Sequence, residues 1–294
     1  MIRLSSVGIA LCAAAASVAA GGCRSSESPE PAVVTPFVTI NHDRAPAGSP
    51  IEITYKFVVA NNATVPEDYR VFVHVVDTDE ERMWDDDHDP PTPTSQWKPG
   101  QTIEYTRTIF VPIFPYVGDA TIQIGLHSLK DQRRLVLAAE DVGQRAYKVA
   151  RLQLLPQTEN LFTVFKDGWH PAEVAQVSAT EWQWTKKEAT LAFKNPKKDA
   201  VFYLEVDSPN AELHGEQHVQ VMLGGQPVDE FTLAPTDRLL RRMTLPAARI
   251  GPADMGELQI VVDKTFIPAK VSGDARRDPR ELGVRVFHAF VDPR

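Results

Sequence analysis

"YRVFVHVVD", residues 69–77, alternates Val71, Val73 and Val75 with Phe72, His74 and Val76. Successive side chains of a strand point to opposite faces, so both faces of this one are apolar and it belongs in the middle of a sheet. The pattern repeats in both directions. Upstream, "IEITYKFVVAN" sets Ile51, Ile53, Tyr55 and Phe57 on one face, and "FVTINHD" precedes the turn-like "RAPAGSP". Downstream, "QTIEYTRTIFVP" places Ile103, Tyr105, Arg107 and Ile109 on one side. "GDATIQIGLHS" supplies Ile122, Ile124 and Leu126, and "AYKVARLQLLP" closes the series at Pro156. Strands recurring roughly every 10–20 residues, with no helical period between them, predict an antiparallel sandwich of immunoglobulin-like type over residues 37–156.

"PQTENLFTVF" reads as a junction, after which a second series begins. "EWQWTKKEATLAFKN" alternates Ala189, Leu191 and Phe193 with polar residues, and "AVFYLEVDSP" follows. "QHVQVMLGGQPVDEFTLAP" reads as a hairpin, because Gly-Gly accommodates the positive φ of a tight turn. "ELQIVVDKTFIPA" and "ELGVRVFHAFV" complete the set. Number of strands and long loops predict a jelly-roll-like sandwich over residues 157–294. The fold class expected is all-β, two tandem antiparallel β-sandwich domains. No internal repeat relates the halves.

Composition and ends narrow the function. Of the 294 residues, 43% are hydrophobic and 24% charged, enough apolar material for real cores. The net charge of -8 and the lack of a Lys/Arg stripe exclude nucleic acid as the expected partner. Arg3 and the apolar "VGIALCAAAASVAA" precede "AAGGC", which resembles a bacterial lipoprotein signal ending at Cys23. On that reading residues 1–22 are removed and Cys23 carries the lipid. Cys12 lies in the removed segment and no cysteine follows Cys23, so a disulfide has no partner there. The polar, proline-bearing residues 23–36 read as a tether. Arg24 after the cysteine, where an aspartate would favour the inner membrane, points to the outer membrane, facing the periplasm or the surface. The alternative is ordinary cleavage after Ala20, giving a soluble periplasmic or secreted protein.

"VFVHVVDTDEERMWDDDHDPP", "SQWKPGQTIEYTRTIFVP" and "GDATIQIGLHS" together resemble a β-sandwich module found beside membrane-embedded bacterial glycosyltransferases and in lipoproteins. "GWHPAE", "EWQWTKKEATL" and "DKTFIPAKVSGDARRDPRELGVRVF" resemble a carbohydrate-binding-like, galactose-binding-type module. The resemblance implies a glycan-associated binding or accessory role in the cell envelope. It brings no catalytic residues.

Three groups of residues compete for a functional reading. "DDDHD" packs four aspartates and a histidine into residues 85–89. It lacks the spaced ligands and turn glycine of a calcium loop and the further His or Cys of a zinc site. It is expected to be a solvated or self-hydrogen-bonded connection. A cation, calcium foremost, on Asp85, Asp87, His88 and Asp89 is the alternative, with His74 able to approach His88. Trp84 and Trp97 flank this loop and are expected to stack on each other. Trp182 and Trp184 share a strand face, and with Trp169 they are the candidates for a saccharide platform, against the plainer reading as core. In "SGDARRDPRELG" the alternating signs predict Arg–carboxylate pairs.

No G-x-S-x-G elbow, H-E-x-x-H or P-loop occurs, so no catalytic residue is assigned and no cofactor is expected. The expected function is therefore a non-catalytic, membrane-anchored envelope protein that binds a polysaccharide. The alternatives are a scaffold for an envelope protein partner and a metal-dependent hydrolase built on Asp85–Asp89.

Overall fold

The alternating stretches become strands in the computed structural model, which describes residues 30–113, 116–176, 180–208, 213, 215–235, 238–274 and 276–294. The expected export segment and Cys23 lie outside the described residues. The first series runs β1 (Val34–Ile40), β2 (Arg44–Pro46), β3 (Pro50–Val59), β4 (Tyr69–Val76), β5 (Arg82–Asp85), β6 (Thr102–Phe110), β7 (Gly118–Ser128), β8 (Glu140–Asp141) and β9 (Tyr147–Leu155). The second begins with β10 (Thr163–Phe165), β11 (Glu173–Val174), β12 (Glu181–Trp184), β13 (Glu188–Lys194) and β14 (Ala200–Asp207). It continues with β15 (Gln217–Leu223), β16 (Gln226–Leu233), β17 (Arg238–Leu245), β18 (Met255–Val262) and β19 (Arg285–Pro293). Two one-turn helices, α1 (Ala247–Ile250) and α2 (Pro268–Ser272), occupy connections. Among the described residues no helix is long and apolar enough to cross a membrane.

In the first sandwich the sheet β1-β3-β6 faces the sheet β2-β9-β7-β4-β5, with β8 added beside β9. β2 leaves the first sheet and pairs parallel with β9, while every other pairing between these named strands is antiparallel. This is the strand switch of an immunoglobulin-type sandwich. The inward stripe of β3, Ile51, Ile53, Tyr55 and Phe57, is buried against Val71, Val73 and Val75 of β4 and Ile122, Ile124 and Leu126 of β7. Each such side chain contributes about 1.5–3 kcal/mol by leaving water.

The second sandwich stacks β10-β13-β18-β15-β16 on β11-β12-β19-β14-β17. Its core joins Leu191 and Phe193 of β13 to Phe202, Leu204 and Val206 of β14. The β15–β16 hairpin turns at Gly224 (φ 57°) and Gly225 (φ 76°), the two successive positive angles of a type I′ turn.

One expected boundary moves. Val34, assigned by sequence to the tether of residues 23–36, begins β1, pairs with Val59 and is buried. Pro36 concealed this, since proline cannot donate to a ladder; β1 is an edge strand, where that costs little.

Candidate functional site

The acidic loop is in part the solvated, self-hydrogen-bonded connection expected, with Asp85 and Asp89 exposed and His88 bonded to Asp86 O, but Asp86 and His88 turn inward. After β5 the chain keeps pairing with β4: Asp86 N–H donates to Val73 O at 3.0 Å, and His88 exchanges backbone hydrogen bonds with Val71 at 2.9 Å. Asp87 Oδ1 accepts the Val73 N–H at 2.9 Å. Pairing at this period sends the side chains apart. Asp86 turns inward and takes Arg107 Nε and Nη2 at 2.9 and 2.7 Å, plus the Tyr55 hydroxyl at 3.3 Å.

His88, also inward, donates from Nδ1 to Asp86 O at 2.7 Å, so Nε2 accepts from Tyr105 Oη at 2.8 Å. Burial pushes His88 below the usual imidazole range and raises the Tyr55 and Tyr105 hydroxyls. Asp85 points outward to Arg82 at 3.5 Å, and the exposed Asp89 lies 3.9 Å from Arg70. His88 therefore faces away from Asp85, Asp87 and Asp89, which alternate onto the outward side and hold separate partners, Arg82, the Val73 N–H and Arg70. Among the described residues no three His, Cys, Asp or Glu side chains converge to hold a metal.

The loop is a clasp between the sheets, and one signal in the sequence could have revealed it. Arg107 lies in the inward stripe of β6, opposite Ile53, and a guanidinium there requires a carboxylate. His74 lies outward, ring against Phe72 at 4.9 Å, away from His88. Trp97 does not stack on Trp84; it is buried 5.2 Å from Phe57, and its Nε1 donates to Thr92 O at 2.9 Å.

The three candidate tryptophans separate as well. Trp169 Nε1 donates to Thr190 O at 2.8 Å and its ring packs on Phe165, so it is a packing residue. Trp184 is 8% exposed and forms a satellite core with Phe266 and Leu282, roofed by the connection from β18 to β19. That connection is held as its charge pattern predicts. Arg276 forks onto Asp274, and Arg280 onto Asp278 with a further bond to Glu173 at 2.6 Å. Trp169 and Trp182 are both half-exposed, and of the three it is Trp182 that lines a cleft of about 1210 Å³ between the two sandwiches.

Trp182, Glu205, Arg238, Phe287 and His288, on the outer face of β12, β14, β17 and β19, line the floor of that cleft, and Arg285 and Asp207 continue the same face beyond it. Arg285 pairs with Asp207 across β19 and β14 through two bonds of 2.8 and 2.6 Å. Its guanidinium carbon lies 5.4 Å from the Trp182 ring and 5.5 Å from Phe287, and Arg238 lies 3.8 Å over Phe287. Glu205 accepts from Arg238 Nε at 2.7 Å and from His288 Nδ1 at 2.6 Å. Burial pushes the Glu205 carboxyl up, but the His288 and Arg238 bonds outweigh it and hold it below the ordinary range.

The far end of the floor is closed by the first sandwich. Phe110 stacks on His288 at 3.8 Å, and Glu52 accepts Tyr203 Oη at 3.1 Å and pairs with Arg242. A β-bulge between Glu205 and Val206 inserts Phe287, which aims its ring outward beside Trp182. Nothing in residues 281–291 signals that bulge.

The fold and cleft thus define an all-β protein of two stacked sandwiches with an aromatic and guanidinium floor between them. No family model and no curated protein matches the chain. Solved structures that it is similar to include the CBM22-1–CBM22-2 tandem of Paenibacillus barcinonensis Xyn10C, at 8% identity, TM-score 0.26, covering 84% of this chain and 79% of that one. Another is the exo-β-1,3-galactanase of Phanerochaete chrysosporium with galactose, at 9% identity and TM-score 0.29, covering 88% and 57%. A third is the alkylpurine DNA glycosylase AlkC of Pseudomonas fluorescens, at 10% identity and TM-score 0.27, covering 43% and 31%. The chain spans less than two thirds of the last two. Likenesses this slight, shared among such different proteins, carry no weight below.

Proposed function

We propose that this chain is a non-catalytic binding protein of the bacterial envelope that takes a saccharide into the cleft between its sandwiches. The carrying observation is the half-exposed Trp182 ring beside Phe287, set in an open cleft with hydrogen-bonding charge pairs around it. Aromatic faces pack on the C–H face of a sugar ring, and convergent polar groups fix its orientation. Absence of catalysis is favoured by the carboxylates of the floor. Glycoside cleavage needs one carboxyl kept protonated near neutrality, whereas Glu205 is held below the ordinary range by its bonds to His288 and Arg238.

Anchoring through a lipid on Cys23 belongs to the same proposal and is supported by the "AAGGC" signal alone. Mass spectrometry of the protein from membranes, finding an unmodified Cys23, would overturn it. For the cleft, titration calorimetry of the purified chain from residue 30 onward against envelope polysaccharides should give binding. Trp182→Ala should reduce it about tenfold or more, the loss of one well-packed aromatic contact.

A second reading has its own observation. Ile113 and Phe162 at the cleft mouth are 70% and 63% exposed, which suits a protein partner. Crosslinking in cells that captures one protein at Ile113, with no saccharide binding in the titration, would put the scaffold ahead.

A further inference from the structure

β6 is a sheet edge nine residues long, and the alternation of its hydrogen bonds fixes which backbone groups it leaves open. Val111 N–H donates to Ser49 O and Val59 N–H to Gln101 O, both at 2.9 Å, and these two bonds flank an unbroken register with β3. Antiparallel ladders alternate, so the odd-numbered residues of β6 bond β3. Thr102, Glu104, Thr106, Thr108 and Phe110 therefore turn their N–H and C=O groups outward. Among the described residues no backbone hydrogen bond meets these five from outside the sheet. The Phe110 end of the edge runs into the open cleft rather than under the second sandwich, since Thr108 and Phe110 line it.

The other edges of both sandwiches are blunted. β2, β5, β10 and β11 have only two to four residues each. β1 is interrupted by Pro36, and its Val34 O already accepts from Ala138 N–H. A bulge and Pro227 interrupt β16. β17 carries Arg238, Arg241 and Arg242, so a self-pairing about its middle would set arginine against arginine. Such devices keep an edge from pairing with another chain. β6 has neither proline nor bulge, and its inward charge, Arg107, is already matched by Asp86.

We infer that β6 is a self-association surface: two copies of the chain join edge to edge, antiparallel, about a two-fold axis at Thr106, and make one continuous sheet β1-β3-β6-β6-β3-β1. The strand's own sequence selects a second copy as the occupant. Thr106 is the central residue of Thr102–Phe110, so this register uses the whole edge. Thr102 exchanges backbone bonds with Phe110 of the second copy, Glu104 with Thr108, and Thr106 with its equivalent. Between these pairs Tyr105 stands opposite Arg107, and Ile103 opposite Ile109. No like charges meet directly. Centring on residue 107 or 104 instead would set Arg107 or Glu104 against its own copy, which destabilises a pair.

The test uses residues 30–294, which hold every strand of both sandwiches and neither cysteine. One strand pairing is a small interface, so sedimentation equilibrium should show monomer and dimer in exchange with a Kd of about 1–100 µM. Thr106→Pro removes an outward N–H and leaves every bond to β3, so it should abolish the dimer with the unfolding midpoint unchanged. Thr106→Lys, a change at an exposed side chain that leaves the backbone intact, opposes like charges at the axis. It should weaken association about tenfold, with recovery as salt rises to about 0.5 M. Thr106→Cys should form a disulfide between copies on mild oxidation, because hydrogen-bonded partners in a ladder stand about 5.5 Å apart at Cα. Thr39→Cys, exposed on the same sheet but away from the edge, should not. A chain that stays monomeric at about 0.5 mM overturns the inference. So does a dimer as tight in the folded Thr106→Pro or Thr106→Lys variant as in the unchanged chain.

Discussion

Removing either member of the Asp86–Arg107 pair should destabilise the first sandwich far more than a surface charge change would. The carboxylate is 11% exposed and receives two charge-assisted bonds from a guanidinium that is 37% exposed. Breaking a fully buried pair costs about 3–5 kcal/mol, because the survivor is stranded without water. Here the arginine reaches solvent, which screens part of that loss. Arg107→Met and Asp86→Asn should each cost about 2 kcal/mol, with Arg107→Met the larger because it leaves a carboxylate under the sheets.

The double variant should cost less than the sum by about 1–2 kcal/mol, the coupling expected of groups in direct contact. Urea unfolding followed by Trp97 fluorescence reads this, since Trp97 packs on Phe57 in the same core. Additivity within about 0.5 kcal/mol would refute the clasp and return the loop to solvent. So would an unchanged midpoint for Arg107→Met.

Two other outcomes follow from the same region. Burial holds His88 below the usual imidazole range, so the unfolded chain, with its ordinary value of 6.5, binds the proton first. Stability should therefore fall as pH drops below about 6.5, by up to about 1.4 kcal/mol per unit, and His88→Gln should flatten that slope between pH 6.5 and 5; an identical pH profile would show that His88 is solvated. His74 and His127, lowered for the same reason, add in the same direction. Because Asp86 is bound to Arg107, His88 faces inward, and Asp87 is tied to the Val73 N–H, millimolar calcium against chelator should leave the melting temperature unchanged; a rise of several degrees would restore the cation reading.

The sequence by itself settled what a two-residue period can settle. Val71, Val73 and Val75 against Phe72, His74 and Val76 fixed a central strand, and similar stripes in β3, β7 and β13 fixed which faces are buried. Gly224-Gly225 fixed a turn, and the alternating charges after Asp274 fixed their own pairing, because both depend on neighbours within a few residues.

The site obeyed no such local rule. Asp86 meets Arg107 across 21 residues, Asp207 meets Arg285 across 78, and Trp182 differs from Trp184 only in what lies above it. Alternation places Trp182 and Trp184 on one face, yet it cannot say that a distant connection roofs one and that a second sandwich stops short of the other. Burial is a property of the partner surface. Only the packing of the two sandwiches turned one strand face into core at its ends and an open floor between them.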